Sequence, residues 1–223
     1  MDRTPLRERK LPDYTRGEEI TNMVTHIVGA ALSLPILIGG ISLSAYRRDP
    51  WAIVGSCVYG LTMLWLYTMS SVYHGLPDST GKRVMQVIDH CTIYALIAGS
   101  YTPILLSAIR PAYPALAWTI LGCEWGLGLA AAALTAIDLK KYARASMICY
   151  IAMGWLIVLA LRPTIETVGT AGFLWLLAGG LAYTVDAVLY GIGRKRRYYH
   201  SVFHVFVLLG SALQAVCILF YVL

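Results

Sequence analysis

The chain has 223 residues, of which 58% are hydrophobic and 13% charged, with a mean hydropathy of +0.64. Soluble domains carry about 25% charged residues, so a soluble fold is excluded, and apolar runs that are continuous rather than alternating exclude a β-barrel. The net charge of +6 sits in short loops with no aromatic platform or globular domain beside it, which excludes a nucleic-acid-binding protein.

The first 20 residues, MDRTPLRERKLPDYTRGEEI, are hydrophilic and mixed in charge. They are too acidic for a cleaved leader and read as a cytoplasmic segment, with Glu18 and Glu19 at a helix N-terminus, where acids are favourable. Crossing a bilayer as a helix takes about 20 apolar residues. Such runs lie near 21–44, 51–74, 85–108, 113–136, 146–162, 171–192 and 200–222. The expected architecture is an all-α integral membrane protein: a segment at 1–20 and one seven-helix transmembrane bundle over 21–223. The fifth span, bounded by Ser146 and Pro163, is the shortest, and Pro103 is expected to kink the third.

Lysine and arginine divide unequally between alternate loops. Fourteen of the 18 fall in the N-terminal segment and the second, fourth and sixth loops, the last carrying RKRR at 194–197. Arg47, Arg48, Arg110 and Arg162 fall on the opposite face. Cytoplasmic loops carry the excess, so the N-terminus is expected inside and the C-terminus outside a plasma membrane, with the basic loops against anionic inner-leaflet lipids. The five cysteines lie within spans and form no C-x-x-C pair. They read as small buried residues rather than metal ligands.

That threading brings polar residues to one depth. The second span ends in SSVYH, with His74 near the cytoplasmic surface and Ser70 one turn deeper. The third starts from the same side with VIDHCTIY, placing Asp89 and His90, and the seventh starts there with YYHSVFH, placing His200 and His204. A single histidine reads most simply as an interfacial residue, like Tyr198 and Tyr199. The agreement of three helices points instead to a metal, because ionisable groups at membrane depth usually face the interior or a watery cavity. Three imidazoles with one position open suit catalytic Zn²⁺ better than a closed structural site. HSVFH puts its two histidines on one helix face but lacks the glutamate of H-E-x-x-H, which leaves the proton-handling role to Asp89.

Two further groups stand out by position. Glu124 falls near the middle of the fourth span, where an acid is costly and a sign of function, although Gly122, Gly126 and Gly128 equally suit a close helix contact. Asn22 and His26, one turn apart on the first helix, either reach the cavity or, more simply, bond one helix to another.

SSVYH, DHCTIYALIAGSYTP, GGLAYTVDAVLY and YYHSVFHVFVLLGS, with EEITNMVTHIVGAALS on the first helix, resemble the hemolysin III family of bacterial membrane proteins. That family belongs to the seven-helix superfamily of the progestin and adiponectin receptors. The resemblance covers nearly the whole chain from residue 18. It implies a zinc site in the inner-leaflet half, with His74, His200 and His204 as ligands, Asp89 holding the water at the metal, and Ser70 beside it. His90 is a common companion of the family's aspartate and is not carried over as a ligand. Gln214 stands where a histidine often follows, and Asp186 stands where glycine is common, about two turns from the cytoplasmic end of helix six and a candidate to face the cavity.

With Asp89 as base and Ser70 donating to an oxyanion, a zinc site of this kind has the parts to hydrolyse an amide or ester. A cavity in the inner leaflet points to membrane lipid as substrate, and the zinc-site likeness of adiponectin receptors to alkaline ceramidases suggests a lipid amide by analogy alone. The alternatives are a lipid-sensing or membrane-homeostasis protein with a structural zinc, a transporter or channel, and a cytolysin. Transport would call for paired broken helices, which the sequence lacks, and the spans are those of a resident membrane protein rather than a toxin.

Overall fold

A computed structural model describes residues 4–193 and 196–223, and its regular structure is entirely helical. The helices are α1 (Arg16–Tyr46), α2 (Pro50–Gly75), α3 (Thr80–Pro103), α4 (Pro114–Ile137), α5 (Ala143–Gly154), α6 (Leu161–Gly193) and α7 (Tyr199–Cys217). Two of them start about a turn before the apolar runs do, because polar residues cap them. The Thr15 side chain accepts from the Glu18 N–H while Glu18 accepts from the Thr15 N–H, a capping box that starts α1 at Arg16. Ser79 accepts from the Lys82 N–H and starts α3 in the same way. Pro50 and Pro114 open α2 and α4, where the missing N–H is no loss.

Among the described residues, six helical stretches are long and apolar enough to cross a membrane. The fifth runs 49 residues, Ala143–Gly191; at about 1.5 Å per residue a straight helix of that length would far overshoot a hydrocarbon core of roughly 30 Å. It folds back instead. Gly169 has φ 73° and ψ 167°, and the Trp155 Nε1–H before it donates to the Thr184 hydroxyl after it at 3.1 Å. The turn lies inside the interval 163–170 left between the fifth and sixth apolar runs, but near its end rather than at Pro163. α5 tightens into a 3₁₀ stretch, Leu156–Ala160, and Pro163 then sits in the first turn of α6 rather than ending a span, a position that tolerates proline. At Pro103, the last residue of α3, the winding changes from α to the π form of Ile104–Ile109 and the helical stretch continues.

On α1 the packing is inverted relative to a soluble protein. Along α1 the buried residues are Glu18, Asn22, His26, Gly29, Ser33, Gly40 and Ser44, a stripe of polar and small side chains. Ile38, Leu129, Ile148 and Leu159 are each more than 60% exposed, forming an apolar exterior. Small residues let helix backbones approach in an apolar medium, where burial of hydrophobic surface cannot drive association. At Gly60 a Cβ would lie 2.9 Å from the Leu37 Cα, so α1 and α2 are in near-backbone contact there.

Contacts sort the loops into two ends. At one, the Arg9 guanidinium donates to the Ile137 carbonyl at 2.8 Å, Arg83 donates to the Arg9 carbonyl at 2.9 Å, and the Tyr198 N–H donates to Glu18 at 2.6 Å. At the other, Trp51 meets Trp118 at 5.7 Å, Arg110 lies over the Trp51 ring, Tyr113 bonds Glu166, and Leu223 reaches the α1–α2 contact at Gly40. The basic loops thus share one end, and the described N-terminal segment and the C-terminus lie at opposite ends. Arg3, Arg194 and Lys195 lie outside the described residues.

Candidate metal centre

α2 carries His74 on its last turn, and α7 carries His200 and His204 on its first two, all at the basic end. One ring nitrogen from each falls within 4.8 Å of the other two, and the Nε2 atoms of His200 and His204 are 3.2 Å apart.

Neighbours fix which nitrogen of His74 and of His204 faces inward. His74 Nδ1 meets Glu19 Oε2 at 2.6 Å, and the other Glu19 oxygen accepts from the Lys82 ammonium at 2.7 Å. Lys82 also donates to the Leu76 carbonyl at 2.8 Å. A carboxylate only accepts, so His74 carries its proton on Nδ1 and turns the Nε2 lone pair to the centre. That Nε2 is buried and has no hydrogen-bond partner. His204 Nδ1 faces the Asn22 carbonyl at 3.2 Å, which again leaves Nε2 as the inward lone pair. The His200 ring is stacked between Tyr14 at 4.9 Å and Phe203 at 5.1 Å. Ring protons held by carboxylate and carbonyl, with lone pairs converging, make up the outer shell of a histidine metal site. An unpaired buried nitrogen is costly, and a shared cation removes that cost. The residues fit a metal ion.

Asp89 stays outside the three-histidine cluster and lines the cavity beside it, with Ser70 within side-chain hydrogen-bonding reach. His90 also lines the cavity but is outside the cluster: Nδ1 donates to the Gln86 carbonyl at 2.8 Å and Nε2 meets the Tyr190 hydroxyl at 3.2 Å. His26 reaches the cavity and stacks on His204 at 3.6 Å, with neither ring nitrogen partnered. Asn22 does make the helix-to-helix bond, accepting from Ser201 at 2.6 Å. Asp186 lines the same cavity. Glu124 does not; it is fully buried in α4 with neither carboxyl oxygen partnered.

The cavity, of about 120 Å³, runs from the histidines past Tyr101 and Trp155 to Gln214. A second, of about 230 Å³, shares those last three residues and continues among Ile157, Leu161, Phe173 and Leu176. The space is polar at the histidine end and apolar at the far one. Glu19, Tyr14 and the Asn22 carbonyl are absent from the site the sequence predicts. A signal for them exists, since Glu19, Asn22 and His26 follow one another at helical spacing on one face of α1.

Residues 14–215 match the family described as Haemolysin-III related. The chain is 40% identical to Hemolysin-3 of Bacillus cereus over 206 residues, 92% of each chain. It is 38% identical to the Hemolysin-3 homolog of Bacillus subtilis (strain 168) over 208 residues, 93% of this chain and 96% of the other. A more distant similarity, 26% over 223 residues, links it to the human monocyte to macrophage differentiation factor, covering 95% of this chain and 87% of that one. The chain belongs to the haemolysin-III-related family.

Proposed function

We propose that this member of the haemolysin-III-related family is a zinc-dependent hydrolase of amide or ester bonds in membrane lipids, acting at the inner leaflet of the plasma membrane. The chain crosses the membrane seven times, with 143–191 counted as two arms hinged at Gly169, and its basic end faces the cytoplasm. The observation that carries the proposal is the cluster of three imidazoles, two of which, His200 and His204, line a cavity that turns from polar to apolar.

His74, His200 and His204 would hold the ion, and an all-imidazole set suits zinc. When bound, zinc polarises a carbonyl and activates water near neutral pH. Asp89, in the cavity but outside the ligand cluster, is the group free to accept a proton and return it to the leaving group. Ser70 orients that carboxylate or donates to the developing oxyanion. The apolar arm takes an acyl chain and excludes water from the polar end. The ties from the site to two further helices, α1 through Glu19 and Asn22 and α3 through Lys82, favour a second reading: a structural zinc in a lipid-sensing protein.

Elemental analysis of detergent-purified protein beside a His200→Ala, His204→Ala double variant tests the first step. About one zinc per chain, lost in the double variant, is the expected result, and metal-free wild-type protein would end both readings. Release of fatty acid from lipid amides or esters by wild type but not by Asp89→Ala separates the hydrolase from the structural site. A loaded wild-type protein inert on both substrate classes leaves the structural reading.

A further inference from the structure

Tyr183, Asp186 and Tyr190 follow one another at helical spacing along α6, and all three line the cavity. Asp186 is 8% exposed and makes no hydrogen bond or ion pair with any described residue. Unlike Glu124, whose carboxyl oxygens are sealed in protein, it presents its carboxyl to the cavity space. No lysine or arginine is among the residues lining the cavity. A carboxylate removed from water with no lysine or arginine facing it is expensive, a cost that a cationic occupant would offset apart from any ion at the histidines.

The surroundings say of what kind. Tyr190 is held by His90 at 3.2 Å and packs on Phe203 at 5.6 Å, and the Tyr183 hydroxyl is held by Ser211 at 2.7 Å. Three aromatic rings, two of them pinned by hydrogen bonds, line the same cavity as Asp186. Aromatic faces around a carboxylate recognise an ammonium group, through ring quadrupole and charge together. We propose that Asp186 with Tyr183, Tyr190 and Phe203 forms a subsite for a protonated amine, so that the cavity takes amine-bearing amphiphiles whose hydrocarbon chain lies in the apolar arm. The subsite rests on the cavity being a lipid site, as proposed above, but needs no hydrolysis.

Equilibrium binding to purified protein in nanodiscs tests it, with radiolabelled hexadecylamine against hexadecanol and palmitate of matched chain length. Wild type should bind the amine about tenfold or more tightly than the alcohol, the order of a desolvated cation–π contact. Asp186→Asn should lose that preference while keeping its affinity for the alcohol and its metal content. Equal binding of amine and alcohol by wild type overturns the proposal, and that comparison stands even if the variant misfolds. An amine preference surviving in Asp186→Asn also overturns it, and loss of metal from that variant assigns Asp186 to balancing the ion's charge instead. Because binding is read without turnover, an amine preference in a protein that hydrolyses nothing would sink only the hydrolase.

Discussion

Glu19 shows how one side chain aims a site it does not enter. Its carboxylate spans His74 and Lys82 at 2.6 and 2.7 Å, coupling α1 to the end of α2 and the start of α3. Loss of such an outer partner typically weakens metal affinity by about 10–100-fold. Glu19→Gln keeps the shape and one acceptor but loses the charge opposite Lys82, so its zinc affinity, measured by competition with a chelator, should fall within that range, and that of Glu19→Ala further. Wild-type affinity in both would leave Glu19 as no more than an acid at a helix N-terminus. The sequence makes the three histidines legible because imidazoles are rare in this chain and fall at one depth once the loop charges set the threading. Glu19 is hidden for the opposite reason. An acid in the first turn of a helix already has an explanation, and its partner lies 55 residues away. Asp186 is visible as a departure from a family pattern, but its lack of a partner is a property of the folded cavity.

At the scale of elements, apolar runs locate the helices well, and the differences come from capping and turning. Thr15 and Ser79 extend α1 and α3 outward, which hydropathy alone does not register. The gap between the fifth and sixth runs holds the turn, but the fifth span is ended too early because proline is the louder breaker, although at Pro163 the chain has just left a 3₁₀ stretch and needs no N–H. Gly169 is the true breaker. Its φ of 73° and ψ of 167° lie in a region open essentially to glycine alone, and a non-glycine residue held there costs about 1–3 kcal/mol. Nothing lies within 4 Å of where its Cβ would be, so any cost of Gly169→Ala is backbone strain rather than a clash. Denaturant unfolding in detergent should show a loss of that size. Gly169→Asn should be no better, since asparagine relieves only the left-handed helical region. A neutral Gly169→Ala would mean that the turn relaxes to an ordinary conformation.

Over the whole molecule, the N-terminal segment acts as a clasp across the basic end. The Asp138 carboxylate, just beyond α4, accepts from the backbone N–H groups of Lys141 at 3.0 Å, Lys140 at 3.1 Å and Thr4 at 3.1 Å. The Lys141 N–H foremost, then Thr4 and the nearby Arg9 charge, hold its pKa down to about 2. An unfolded aspartate titrates near about 3.9. A group with its folded pKa depressed stabilises fully above the unfolded value and loses that contribution as pH falls through the folded one. The clasp should therefore hold at neutral pH and loosen between about pH 4 and about pH 2. Amide protection over residues 4–14, corrected for the intrinsic exchange rate, should fall across that window. Asp138→Asn should reproduce the loosened state at neutral pH, where trypsin then cuts faster after Arg9, a residue buried in the closed clasp. The same digestion reads the sidedness of the proposed threading. In right-side-out vesicles trypsin added outside should spare the segment in both proteins and cut it only after permeabilisation, faster in the variant. Cleavage from outside would invert the threading and move the histidine site to the outer leaflet. Equal cutting rates after permeabilisation would show that Asp138 does not hold the clasp.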